Sequence, residues 1–299
     1  MRGVWTALIT PFSNDGQIDL NAYRAILRDQ KAAGVTGVIP CGTTGEAPTL
    51  SSDEKRILIR TALEEMKGSG VKVIAGTGSN NTAETVEFSR WASKAGVDGI
   101  LVVTPYYNKP TPAGLEEHFK KVADAVACEV MLYNVPGRTG VSLTAASVSN
   151  LAAHPRIKSL KEATGNVAFT SEILDTLAAS GHKIDILSGD DATYQPLLAV
   201  GAVGVVSVAS NLFPRGMVAI QKAMEAGNLA EATKLHQRYY PLFRDLFIES
   251  NPGPIKWTMA EMGFGNTQVR APLAPVSEET AKKLKRAMDR CGIKKGTPA

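Results

Sequence analysis

Cysteine is scarce in this chain. There are three in 299 residues, Cys41, Cys128 and Cys291, widely spaced and odd in number. No disulfide framework or metal-ligand spacing follows from them, which suits a reducing cytoplasm. Histidine is nearly as scarce. The four residues His118, His154, His182 and His236 form no pair at ligand spacing and have no evident catalytic partner, so each reads as a surface or helix residue. No apolar run reaches the ~18 residues a membrane span requires. The N-terminal Met1-Arg2-Gly3-Val4-Trp5-Thr6-Ala7 goes straight into strand-like sequence, and no signal peptide is visible. Charge of one sign is also missing: 33 basic residues face 29 acidic ones, a net +4. The densest basic run, Lys282-Lys283-Leu284-Lys285-Arg286, has Lys294 and Lys295 beyond it but no interleaved aromatics. It reads as a solvated helix face and tail rather than a nucleic-acid stripe. These absences predict a cytoplasmic protein with no nucleic-acid partner and no membrane partner.

Short apolar runs alternate with helical periodicity over the first ~225 residues, a pattern that implies a parallel sheet covered by helices. Strands are predicted at residues 3–11, 37–42, 71–78, 99–105, 129–136, 157–164, 184–191 and 204–210. Helices are predicted at 21–33, 51–66, 82–95, 115–126, 145–153, 167–178 and 217–226. The second of these opens on Ser51-x-x-Glu54, a capping box. A weak repeat, Gly-x-x-Gly-aliphatic, recurs at Gly34, Gly96 and Gly201, where the first glycine can end a helix and the second lead into a strand. Eight strands at this spacing predict an α/β fold, a closed (β/α)8 TIM barrel over 1–226. The runner-up is an open doubly wound sheet, weakened because no Gly-x-Gly-x-x-Gly follows the first strand. Beyond Asn228 the strand pattern stops. Residues 227–299 read as a small C-terminal helical region, with helices at 229–250, 255–262 and 278–290, broken by Pro252, Pro254, Pro272 and Pro275.

The chemistry of a barrel of this kind sits at the C-terminal ends of its strands. Lys161 stands out there, in Ile157-Lys158-Ser159-Leu160-Lys161-Glu162. A lysine in a barrel interior costs stability, because desolvation disfavours its charged form. The same desolvation makes it an amine nucleophile for a carbonyl substrate. The plainer reading is a lysine that snorkels or pairs with Glu162. Thr43 and Thr44, in Gly42-Thr43-Thr44-Gly45-Glu46, form either a tight turn or a carboxylate cradle. No Gly-Lys-Ser/Thr follows, so this is not a phosphate loop. Arg138, in Pro136-Gly137-Arg138-Thr139-Gly140, is either a surface cation or a two-pronged grip on a carboxylate. Tyr133 is either core or a proton relay beside the amine, and Tyr106 and Tyr107 carry the same pair of readings. Asp190 and Asp191 could hold a metal but read better as residues leading a helix. A lysine, a tyrosine and carboxylate-binding groups on one rim are what enamine chemistry on a 2-oxo acid requires.

These motifs resemble the family of dihydrodipicolinate synthase and N-acetylneuraminate lyase, pyruvate-dependent class I aldolases. The resemblance runs from about Gly3 to Arg290. It is carried by Gly42-Thr43-Thr44-Gly45-Glu46, Tyr106-Tyr107-Asn108, Tyr133-Asn134-Val135-Pro136 with Arg138-Thr139-Gly140, Lys161-Glu162-Ala163-Thr164-Gly165 and Ser188-Gly189-Asp190. The Thr-Thr pair and Arg138-Thr139-Gly140 look like the synthase side of the family. The resemblance implies that Lys161 forms a Schiff base with pyruvate and that Thr43, Tyr107 and Tyr133 relay protons, with Tyr107 reaching in from a neighbouring subunit. It implies that Thr44 and the backbone at Val206 hold the pyruvate carboxylate, and that Arg138 holds the carboxylate of aspartate 4-semialdehyde. The implied product is 4-hydroxy-tetrahydrodipicolinate, on the diaminopimelate route to lysine. The implied assembly is a homotetramer built as a dimer of dimers, with no metal or organic cofactor.

Two other functions compete with this one. The first is a pyruvate aldolase of the same family acting on a sugar acid; the second is a non-catalytic barrel that senses 2-oxo acids or lysine. One departure bears on regulation. Family members inhibited by lysine often carry histidines where this chain has Ser52 and Lys55, while Asn80, Glu84 and Tyr106 match the remaining pattern. A cation at Lys55 would repel the effector's own ammonium. Free lysine is therefore predicted to inhibit weakly or not at all, and a steady-state assay showing strong inhibition at micromolar lysine would contradict this.

Overall fold

The structure, a computed structural model, describes residues 1–295. Eight strands alternate with helices: β1 Gly3–Ala7, β2 Gly37–Ile39, β3 Lys72–Gly76, β4 Gly99–Val103, β5 Glu129–Asn134, β6 Ile157–Glu162, β7 Asp185–Ser188 and β8 Gly204–Ser207. Hydrogen-bonded neighbours run in sequence order from β1 to β8 and close on themselves, with parallel pairing. The predicted TIM barrel is the observed fold. Every predicted strand exists, but each ends two to four residues earlier than its apolar run suggested. Past several ends one more backbone bond to the neighbouring strand is made, as from the Leu8 N–H to the Ile39 carbonyl and from the Thr104 N–H to the Tyr133 carbonyl, before the chain turns away. Thr10, predicted in the first strand, instead donates its hydroxyl to the Gly45 carbonyl at 2.7 Å.

The chain folds as two compact units, one of Met1–Gly3 with Val73–Val206, the other of Val4–Lys72 with the chain from Ser207 onward. In the first, β4 pairs with β5 from Gly99 to Val103, β5 pairs with β6 without a break from Met131 to Asn134 after a register shift at Val130, and the helices Thr82–Ala95, Pro112–Asp124, Ala145–Ala152 and Val167–Ser180 follow their strands. In the second, β1 and β2 pair in register, Trp5 opposite Gly37. Any side chain at Gly37 would run into the Trp5 ring and lie 2.8 Å from the Lys72 carbonyl, so only glycine admits the indole. That is the physical content of the second glycine in the repeat. The first glycine of the repeat does end helices, Gly34 and Gly96 being left-handed caps.

Among the described residues no helix is long and apolar enough to cross a membrane. The helical reading needed correction at four places. A four-residue helix, Pro136–Thr139, and a six-residue one, Tyr194–Ala199, were not foreseen. Pro254 does not break a helix but sits in the first turn of Gly253–Glu261, where its missing N–H costs nothing. The helix predicted at 229–250 ends at Asp245 and carries Pro241 inside it.

The capping box is present as predicted. Ser51 accepts from the Glu54 N–H, and Glu54 accepts from the Ser51 N–H at 2.8 Å. The same carboxylate meets the Arg270 guanidinium through both oxygens, tying the start of Ser52–Met66 to the segment after Gly253–Glu261. Arg270's bonds hold the Glu54 carboxyl down to about 2. A carboxyl depressed on folding stabilises fully above its unfolded value, near about 4.3, and that contribution drains as pH falls toward the folded value. The stability difference between wild type and Glu54→Gln, followed by thermal unfolding, should therefore hold steady from neutral pH to about 5 and shrink as pH approaches about 2. A difference independent of pH across that window would contradict the assignment.

Candidate active site

Lys161 lies on β6 directly opposite Tyr133 of β5. Parallel register partners share a face, and the Lys161 Nζ sits 4.1 Å from the centre of the Tyr133 ring. Lys161 is 5% exposed and Tyr133 6%. Glu162 is not the partner of Lys161. Alternation along the strand turns it the other way, where it accepts from Asn134 Nδ2 at 2.9 Å and from the Thr164 N–H at 2.5 Å. Burial pushes the Glu162 carboxyl up, and those two donors pull it partly back. Among the described residues Lys161 makes no ion pair at all. A buried amine with an aromatic face beside it and no carboxylate leaves the ion-pair reading without a partner among the described residues.

The space around Lys161 is cut closely. A side chain at Gly189, just past β7, would lie 3.1 Å from Lys161 Cγ and Cε and 2.6 Å from Ala163 Cβ. Gly189 is thus a steric requirement of the lysine stem, a role its place in the motif did not reveal. Asn134 extends the network from the other side: its Oδ1 accepts from the Leu143 N–H at 3.0 Å and from Ser142. Through Asn134, Glu162 ties β6 to the end of β5 and to the loop beyond Arg138.

Arg138 is exposed, in the helix Pro136–Thr139 rather than in a loop, and makes no ion pair among the described residues. Thr139 anchors that helix from beneath, receiving the Thr104 hydroxyl at 3.2 Å and donating to the Val141 carbonyl at 2.9 Å. Tyr107 is 89% exposed and has a left-handed backbone, φ 73°. Lys109 in the same loop packs its stem against Gly140, which brings the loop alongside the Arg138 segment. Val206 is buried in β8. Asp190 accepts from the Ala192 N–H at 2.9 Å and so shapes the turn before Tyr194–Ala199. Among the described residues no group of three or more His, Cys, Asp or Glu could hold a metal ion.

In the second unit, Thr43 is half-buried and Thr44 is 2% exposed. The Thr44 hydroxyl accepts from Asn251 Nδ2 at 3.0 Å. With its lone pair occupied, that hydroxyl keeps its own proton free to donate, as a carboxylate ligand requires. The turn they occupy is closed by Gly45 N–H to Gly42 carbonyl and by Glu46 N–H to Thr43 carbonyl. The tight-turn reading of the pair is the one the backbone bonds show. Sequence reasoning missed the residues behind the turn. Glu46 and Lys256 form a fully buried ion pair, Nζ to Oε1 2.5 Å. Burial pushes the Lys256 ammonium down, and Glu46 offsets part of that. The signal was a single lysine in the apolar stretch Pro254-Ile255-Lys256-Trp257.

Residues 1–291 match the model of the dihydrodipicolinate synthetase family. A 4-hydroxy-tetrahydrodipicolinate synthase of Leptospira biflexa is 46% identical over 280 residues, 94% of this chain and 94% of that one. The solved 4-hydroxy-tetrahydrodipicolinate synthase of the methanotroph Methylacidiphilum fumariolicum is similar with a TM-score of 0.94 at 44% identity, covering 98% of this chain and 96% of that one. The chloride-inhibited dihydrodipicolinate synthase of Acinetobacter baumannii, solved with pyruvate, is similar with a TM-score of 0.94 at 38% identity, covering 98% and 99%.

Proposed function

The chain belongs to the dihydrodipicolinate synthetase family, and from that premise we propose that it condenses pyruvate with aspartate 4-semialdehyde to 4-hydroxy-tetrahydrodipicolinate. The observation that carries this reading is Lys161: buried, unpaired and set against the Tyr133 ring. A sensor of oxo acids gains nothing from an unpaired buried amine, whereas a Schiff-base enzyme depends on one.

In the proposed sequence the Lys161 amine attacks the ketone carbon of pyruvate, and loss of water leaves the Schiff base. The protonated imine acidifies the adjacent methyl group, which gives up a proton to form the enamine. The enamine carbon attacks the aldehyde of the semialdehyde. The amino group of that second substrate then attacks the imine carbon, displacing Lys161 and closing the ring. Tyr133, Thr43 and Tyr107 are the proposed proton relay. Thr44 and the Val206 backbone are the proposed donors to the pyruvate carboxylate. Arg138 is the proposed grip on the carboxylate of the second substrate, supported by its exposed guanidinium having no acidic partner among the described residues. It also favours the amino-acid aldehyde over a sugar acid.

An aromatic side chain 89% exposed on a left-handed backbone is costly for an isolated chain. This supports the proposal that Tyr107 serves a neighbouring copy and that the assembly is a homotetramer. No cofactor beyond the Lys161 adduct is proposed, and the proposed location is the cytoplasm. Residues 1–226 are proposed as the catalytic barrel and the region from 227 as its helical extension, the last four residues of the predicted 227–299 lying outside the described residues.

Variants test the division of labour. Lys161→Ala should lower turnover at least about a thousandfold, the loss typical of a covalent nucleophile. Arg138→Ala should form the pyruvate adduct normally while KM for the semialdehyde rises about tenfold to a hundredfold, the size of a lost charged hydrogen-bond pair. Equal loss of adduct formation and aldehyde use in Arg138→Ala would contradict the assignment.

A further inference from the structure

The Glu46–Lys256 pair is an expensive object to keep. Both side chains are fully buried. Glu46 also holds a left-handed backbone, φ 56°, where a residue with a side chain is strained. An apolar pair of similar volume would fill such a site at less desolvation cost. What the charges add is geometry. Glu46 Oε1 takes the Lys256 ammonium, and Oε2 accepts from the Arg270 N–H at 2.9 Å. Phe12 lies against both cations, its ring centre 4.1 Å from Lys256 Nζ and 4.4 Å from the Arg270 guanidinium. Glu46 is thereby fixed from two directions, at the last residue of the turn that carries Thr43 and Thr44.

Two further bonds hold the same turn. Thr10 donates to the Gly45 carbonyl at 2.7 Å, and Asn251 donates to the Thr44 hydroxyl at 3.0 Å. Asn251 and Lys256 come from one short stretch that starts the helix Gly253–Glu261. The turn thus has neighbouring anchors on successive residues, at Thr44, Gly45 and Glu46, and the anchor at Glu46 is the ionic one.

We propose that Lys256 and Glu46 are positioning residues for the Thr43–Thr44 turn: their buried ion pair sets where the two hydroxyls stand, a role that rests on the assignment of those hydroxyls to the oxo acid. Lys256 itself is not a second nucleophile, because its nitrogen is enclosed and bound to Glu46. The pair acts on the oxo-acid half of the reaction and leaves the aldehyde half alone.

The test is the double variant Glu46→Gln/Lys256→Met, beside Thr44→Val and Lys256→Met. Lys256→Met alone strands a buried carboxylate and should be the least stable of the three. The double variant removes both charges at nearly constant volume and should fold, as judged by circular dichroism and a cooperative melt. Its KM for pyruvate should rise and its kcat fall by about tenfold to a hundredfold in combination, as expected of a sub-ångström misplacement. Its KM for the semialdehyde should stay at the wild-type value. A folded double variant with wild-type pyruvate kinetics would overturn the positioning role. So would a double variant that melts lower, or does not fold, while Lys256→Met folds with wild-type pyruvate kinetics. Thr44→Val separates the two levels. If it leaves pyruvate kinetics unchanged, the assignment of the hydroxyls fails and the positioning role goes with it. If it raises the pyruvate KM while the folded double variant does not, only the positioning role fails.

Discussion

An amine taken out of water has two physical outcomes: it acquires a partner charge, or it is held where its charged form is disfavoured and its lone pair becomes useful. Among the described residues two lysines are buried, and only one of them has a carboxylate partner. Lys256 is enclosed, with its ammonium against Glu46. Lys161 is buried on β6 with no carboxylate in reach and an aromatic ring beside it. The nearest acid in sequence, Glu162, is turned away by strand alternation and occupied by Asn134 and the Thr164 N–H. Had β6 slipped by one residue, Lys161 and Glu162 would have exchanged faces. The chemistry proposed for Lys161 depends on that register.

The rest of the structure serves to keep that register and leave room for the amine. Unbroken pairing of β5 with β6 from Met131 to Asn134 sets Tyr133 opposite Lys161. Gly189 gives up a side chain so that the lysine stem can pass. The Asn134 network spans β5, β6 and the loop after Arg138, so the strand that carries the amine is hydrogen-bonded to the segment that follows the guanidinium. In the other unit the Thr43–Thr44 turn is held from beneath by Thr10, Asn251 and Lys256. The proposed site residues stand within the last residues of β5, β6 and β8 or on the short turns that follow strands.

Much of this was legible in the sequence. Eight apolar runs, the Gly-x-x-Gly-aliphatic repeat and the Ser51–Glu54 capping box identify the strands, the helix ends and the barrel, because each reflects local chemistry. Strand ends were less legible. Apolar or β-branched residues continue past the last ladder bond, as at Ile9 and Thr10, and hydropathy alone does not mark where the backbone turns away. The helix around Arg138 was missed because its four residues are too few to show a period. Lys161 was visible as a charge in a strand, but its lack of a partner was not, since Glu162 stands next to it in sequence. The Glu46–Lys256 pair was hidden for the opposite reason: its members are 210 residues apart, and nothing local ties them together.

The contrast between the two buried lysines is open to one direct measurement. Pyruvate is added to the protein, borohydride reduces any imine formed, and peptide mass analysis finds the modified lysine. The adduct should appear on the peptide containing Lys161, with the peptide containing Lys256 unmodified. An adduct on Lys256, or none on Lys161, would contradict the account.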